Sequence, residues 1–189
     1  MYFIFALISL STFAHTLSHY PDAPLEIIKV GHPTLRLTAE SVSTQEIESE
    51  EFQKLIDDLI ITMKDASGVG LAAPQVNISK RLFVMKPSMF KKAEAIINPV
   101  VEYLVDYGTK ISTEGCLSIP GKQFKVERYK KLHIHYQDRK GDDRFEKASG
   151  FRAVVIQHEY DHLNGNLISD IFLKSLNLED DFEFVVPRM

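Results

Sequence analysis

His158 and His162 stand four residues apart in a stretch where Phe151, Val154 and Val155 recur at helical spacing, and Glu159 directly follows the first histidine. A step of four puts two side chains one above the other on the same face of an α-helix. The chain therefore needs a helix here whose histidine stripe is shared with apolar residues and so faces inward. Gly165 stands where the cap of that helix belongs. Two imidazoles one turn apart with a glutamate beside them form a recurrent metal-binding pattern, in which the carboxylate serves acid–base chemistry. His15, His19, His32, His133 and His135 have no such setting and read as ordinary surface or core histidines.

A catalytic ion generally takes three protein ligands and keeps one position for water, so two histidines leave it one short. Cys116 is the only cysteine, which excludes an internal disulfide, and it lies in the tight segment Glu114-Gly115-Cys116-Leu117-Ser118-Ile119-Pro120. It is a buried small residue, a reactive thiol or a metal ligand, and by itself it reads as the first, since free cysteines are among the most buried residues. A thiolate with two imidazoles is a sound ligand set. A third segment, Gly68-Val69-Gly70-Leu71-Ala72-Ala73-Pro74-Gln75, offers two glycines that let a backbone approach closely, followed by an amide side chain. Alone it reads as a helix cap and turn.

A chain of 189 residues with 44% hydrophobic content suits a single domain with its own core. The net charge of −4 gives no basis for phosphate-driven binding, so no specific nucleic-acid partner is expected. Met1 to Leu10 is almost wholly apolar, and Thr12 and Ala14 are small enough for signal-peptidase cleavage, yet no Lys or Arg precedes Lys29. A leader segment and a plain N-terminal extension both stay open. The apolar run is shorter than the ~20 residues of a spanning helix, so no membrane anchor is expected.

Leu25 to Val30 has strand-like composition, and His32-Pro33 reads as a turn into a short extended piece, Leu35 to Leu37. Phe52, Leu55, Ile56, Leu59, Ile60 and Met63 fall at steps of three and four. They predict an amphipathic helix from Glu51, capped by Ser43 or Ser49 and ended at Gly68. Strands are predicted at 81–85, 95–105, 123–128 and 131–137, with a hairpin turn at Lys140-Gly141-Asp142. The mixed order of elements makes this one α+β domain.

GVGLAAPQ at 68–75, EGCLSIP at 114–120 and QHEYDH at 157–162, in this order and spacing, resemble the three signature motifs of the peptide deformylase family. Ile28 to Arg36 is similar to the start of family members, and the resemblance spans roughly residues 25 to 172. It implies antiparallel β-sheets packed around a central helix carrying the HExxH motif, with residues 25–189 as the catalytic domain and 1–24 as an N-terminal extension. The implied activity is hydrolysis of the formyl group from the N-terminal formylmethionine of nascent proteins, releasing formate. Cys116, His158 and His162 would bind the metal, and Glu159 would be the general base. Gln75 and the Leu117 backbone N–H would stabilise the oxyanion. Gly70 and Gly115 would meet the substrate main chain, and Val69, Phe151, Val154 and Val155 would line the methionine pocket. Glu114 and Arg128 stand where an ion pair would support the site. The implied metal is Fe²⁺, with Zn²⁺, Ni²⁺ or Co²⁺ as substitutes. The implied partner is the formylated nascent polypeptide at the ribosome exit, met by a monomer in the cytoplasm or an organelle matrix. The short acidic end after Leu176 does not supply the long C-terminal helix of some bacterial members, which removes the basis for a docking role of such a helix.

Two other readings use the same residues. Helix-borne histidines with an intervening glutamate also serve metallopeptidases, although those usually take a third histidine or a carboxylate as ligand. A non-catalytic metal-binding or nascent-chain-binding module would be marked by loss of Glu159 or Gln75, and both are present.

Overall fold

The computed structural model describes residues 24–86 and 92–175, so the expected leader segment and the acidic end after Leu176 lie outside the described residues. The described chain begins as irregular backbone over 24–30, then forms a short 3-10 helix, Pro33–Arg36. Both expectations for this region are corrected. Leu25 to Val30 makes no ladder, because the Ile28 and Val30 amides donate to the carbonyls of Gln75, in a 3-10 turn, and Ser118, in the turn between two later strands. Leu35-Arg36 is helical because Pro33 opens the turn with its φ already set and the His32 ring accepts from the Thr34 N–H.

Ser43 and Ser49 each cap a helix, where one cap was expected. Ser43 forms a capping box with Glu46 at the start of α1 (Thr44–Glu48), and Ser49 accepts from the Phe52 N–H at the start of α2 (Glu50–Asp65). The left-handed position after α2 is Ser67, with φ 55°, and not Gly68. Phe52, Leu55, Ile56, Leu59 and Met63 are all buried, as their spacing requires.

Seven strands are present among the described residues: β1 (Gly70–Ala72), β2 (Leu82–Met85), β3 (Glu94–Tyr103), β4 (Thr109–Cys116), β5 (Ile119–Tyr129), β6 (Lys131–Gln137) and β7 (Asp143–Ser149). Five of them form an antiparallel sheet in the order β1-β2-β3-β6-β7, and β4 and β5 form a separate two-stranded sheet. The β6–β7 hairpin turns through residues 138–142, with the Gly141 N–H bonded to the Asp138 carbonyl. Strands β1, β4 and β7 were not expected.

Every residue of β2 is buried, because helices cover both faces of its sheet. Leu82 and Val84 pack with Leu55, Ile56 and Leu59 of α2, while Phe83 and Met85 pack with Ala153, Val155 and Ile156 of α3 (Gly150–Leu163). Helix α3 thus lies between the five-stranded sheet and the β4–β5 pair, buried on most of its surface. Gln157 fixes it to β5 by accepting from the Tyr129 N–H and donating to the Tyr129 carbonyl. A third apolar cluster joins Phe124 and Val126 of β5 to Ile168 of α4 (Ile168–Ser175). The architecture is α+β, with antiparallel sheets around a central helix that carries the two histidines. Among the described residues no helix is long and apolar enough to cross a membrane.

Candidate metal centre

Cys116 ends β4 at a register shift, paired with Ile119 across a two-residue turn. That bulge re-aims the last side chain of the strand toward α3. The thiol, His158 and His162 each offer a ligand atom, and the three atoms lie within 4.8 Å of one another. Cys116 Sγ is 3.4 Å from His162 Nε2, and the two imidazole centroids are 5.1 Å apart. His32, His133 and His135 lie elsewhere: His32 caps the 3-10 helix, His133 pairs with Glu102, and His135 packs on Phe145.

His158 is held by its second nitrogen. Its Nδ1 lies 3.0 Å from Glu114 Oε2, which leaves Nε2 for the inner side of the site. Glu114 also takes a two-pronged ion pair from Arg128, at 2.9 and 3.0 Å, and Arg128 reaches Asp161 at 2.6 Å. All three are largely withdrawn from water. Burial pushes the Glu114 carboxyl up, but hydrogen bonds from His158 and Arg128 and the Arg128 charge outweigh it and hold the group down at about 2. Burial likewise lowers His158, yet its bonds to Cys116 and Glu114 raise it to about 10. Burial, then the His158 charge, pushes His162 far down, so that ring is neutral. The pocket therefore favours positive charge among Cys116, His158 and Glu114, and keeps one imidazole in the form that ligates metals.

Two buried polar atoms here have no hydrogen-bond partner, His162 Nδ1 and Glu159 Oε2. Such orphans are costly in a core and ask for an explanation in function. Glu159 is 3% exposed, and burial is the main reason its carboxyl rises to about 7. A carboxylate tuned to that range both takes and returns protons near neutrality. The donor set of thiolate and imidazoles, with an orphaned carboxylate beside it, fits a small divalent ion such as zinc or iron.

Gln75, on a 3-10 turn (Ala73–Val76), is 1% exposed. Its Oε1 accepts from the Ala72 N–H at 2.9 Å, which turns its Nε2 toward Ser118 Oγ at 3.3 Å and Cys116 Sγ at 3.7 Å. The amide cannot flip without losing the first bond. A cavity of about 850 Å³ opens onto this centre, and Val69, Gly70, Gly115, Leu117, Phe151, Val154 and Val155 all line it beside Glu159. Phe151 is 58% exposed at its edge, outside the inward stripe in which its spacing placed it. The sequence reading missed Asp161 and Ser118, although both stand inside the motifs themselves; their partners Arg128 and Gln75 are distant in sequence, and that position within a motif was the signal available.

A family model described as polypeptide deformylase matches residues 24–177. A peptide deformylase of Xylella fastidiosa strain M12 is 42% identical over 149 residues, covering 78% of this chain and 86% of that protein. One of Leptospira biflexa is 40% identical over 162 residues, covering 81% and 89%. Among solved structures, the peptide deformylase of Thermotoga maritima superposes with a TM-score of 0.73 at 41% identity, covering 79% of this chain and 97% of that one. That of Synechococcus elongatus, bound to actinonin, gives 0.74 at 38% identity, with 81% of each chain covered.

Proposed function

The chain belongs to the polypeptide deformylase family and is a hydrolase that removes the formyl group from N-formylmethionine peptides; on that premise we propose how its own residues divide the work. Cys116, His158 and His162 hold a divalent ion, which we assign as Fe²⁺. When bound, the ion supplies Lewis acidity, lowering the pKa of water and polarising the formyl oxygen. The observation that carries the assignment is the convergence of the three ligand atoms beside the orphaned Glu159 carboxylate.

Glu159 takes the proton from the attacking water and returns it to the methionine amine as the C–N bond breaks. Without that proton an amide anion would have to leave. General acid–base catalysis of this kind contributes about 10²–10⁴ in rate. Gln75 Nε2 and the Leu117 backbone N–H donate to the oxyanion that forms at the formyl group, each worth about 10²–10³. The Gln75 donor is already aimed, because Ala72 holds its carbonyl end. Gly70 and Gly115 meet the substrate main chain, and Val69, Phe151, Val154 and Val155 take the methionine side chain. Glu114 orients His158 and Arg128 holds Glu114. Residues 25–189 are assigned as the catalytic domain, with 1–24 an extension. The enzyme acts as a monomer on nascent chains at the ribosome exit, in the cytoplasm or an organelle matrix where such chains are made.

Formate release from a formyl-methionyl peptide tests this, using anaerobically prepared, iron-loaded protein. Turnover that Glu159→Ala abolishes while the metal content stays constant is the expected result. Folded, iron-loaded protein that releases no formate would overturn it.

A further inference from the structure

The two donors assigned to the oxyanion, Gln75 and Leu117, come from segments that do not adjoin in sequence: a 3-10 turn before β2 and the two-residue turn between β4 and β5. A strap of three successive residues ties them together. The Ile28 N–H donates to the Gln75 carbonyl at 2.9 Å, the Lys29 ammonium to the Leu117 carbonyl at 3.1 Å, and the Val30 N–H to the Ser118 carbonyl at 2.9 Å. Of these three ties, that of Lys29 is made by a side chain.

The strap is itself held at both ends. Upstream, the Leu25 N–H donates to Thr62 Oγ1 of α2 at 2.8 Å, and Leu25 and Ile27 pack against the cluster that α2 buries. Downstream, the Lys29 carbonyl accepts from the His32 N–H at the start of the 3-10 helix. Leu117 is fixed from two further sides. Its side chain packs on the same cluster, with Cδ1 where it would lie 2.9 Å from a Cβ on Gly68, and Cys116 before it pairs with Ile119 across the turn. Peptide planes are rigid, so φ and ψ of Leu117 are the freedoms left, and a bond on its carbonyl restricts them.

We propose that Lys29 is a positioning residue for formyl hydrolysis: by holding the Leu117 carbonyl it sets the aim of the Leu117 N–H, while the strap sets the spacing between that donor and Gln75. This role presupposes the formyl-hydrolysis reading above. It acts on the rate of the chemical step and not on substrate binding, because donors aimed at developing charge count most once the oxyanion forms.

The test measures kcat and KM for formate release from an uncharged formyl-methionyl peptide amide, with iron-loaded parent, Lys29→Met and Lys29→Arg, and a thermal melt and metal content for each. Lys29 is exposed, and Met keeps most of its apolar stem while removing the donor. We expect Lys29→Met to lower kcat by about 3- to 10-fold, the size of one net hydrogen bond. KM should stay within about twofold of the parent, with melting temperature and metal content unchanged. Lys29→Arg should recover most of the rate. The loss should be the same at low salt and at about 0.5 M salt, where a charge acting across solvent is screened within a few ångströms. Parent-like kcat in Lys29→Met, a change confined to KM, no recovery in Lys29→Arg, a loss that salt removes, or a loss that tracks melting temperature or metal content overturns the proposal and leaves the activity standing. No formate release from the iron-loaded parent overturns both.

Discussion

Gly70 lies so close to Glu159 that a methyl group added to its Cα would sit 2.8 Å from the Glu159 Cδ carbon and closer still to Oε1. The obstructing atoms belong to the end of one side chain, so the carboxylate would give way and the backbone would not. Gly70→Ala should therefore lower kcat by about 10²-fold through displacement of the proposed base, with a melting temperature close to that of the parent. Steady-state kinetics and a thermal melt on the same preparation check this. A parent-like kcat would show that Glu159 tolerates the shift.

Glu114 links stability to acid. Its folded-state carboxyl is held at about 2 against an ordinary value of 4.5. A group depressed in this way contributes stability that is present in full above about pH 4.5 and is lost as pH falls toward 2. The contribution is of the order of 3 kcal/mol. Urea midpoints measured between pH 7 and pH 3 should fall steeply in the parent and less steeply in Glu114→Gln. Parallel slopes for the two proteins would remove Glu114 from the acid transition.

Arg128 stands between two carboxylates, Glu114 and Asp161, in a dry setting. Arg128→Met should cost about 3–5 kcal/mol, because it leaves Asp161 without its cation and Glu114 with His158 alone. The triple variant that also replaces Glu114 with Gln and Asp161 with Asn should recover part of that loss. Chemical denaturation of the three proteins provides the comparison, and no recovery in the triple variant would argue against charge as the cause.

Gln75→Leu should lower kcat about 10²–10³-fold while leaving metal content unchanged, since the amide is proposed to donate to the transition state and lies outside the Cys116–His158–His162 set. Metal analysis beside the kinetics separates the two effects. Loss of metal in proportion to loss of rate would make Gln75 a support of the centre.

Cys116 is 7% exposed and opens on the cavity, and a thiolate on the proposed iron would be open to oxidation. Activity should decline in air and faster with peroxide, with added oxygen atoms on the Cys116 peptide by mass spectrometry. Full activity after prolonged aerobic storage with peroxide counts against this.

The parts of the fold legible in the sequence are those whose own residues carry the pattern. Helix α2 shows its buried face in steps of three and four, β2 is a run of apolar residues, and β6 alternates the buried Leu132 and Ile134 with polar neighbours. Strand β4 does not, because Thr109–Cys116 is mostly polar and becomes a strand through its register with β5. Strand β7 is a charged sheet edge, and β1 is only three residues long. The ligand pair on α3 was legible because one helical turn fixes it locally. The Glu114–Arg128–Asp161 chain joins three separate elements, and the pairing of β4 with β5 and the packing of α3 on β5 bring its members together.

The irregular stretch from residue 24 to 30 looks like a loose approach to the domain, yet two of its amides are anchored on the carbonyls of Gln75 and Ser118. These are the residues whose side chains bond each other beside Cys116. A purification handle fused close to residue 24 is consequently not a neutral addition. Any pull it exerts is transmitted to the alignment of the amide proposed to stabilise the oxyanion, and it would register as altered turnover in a protein that still expresses, folds and elutes normally.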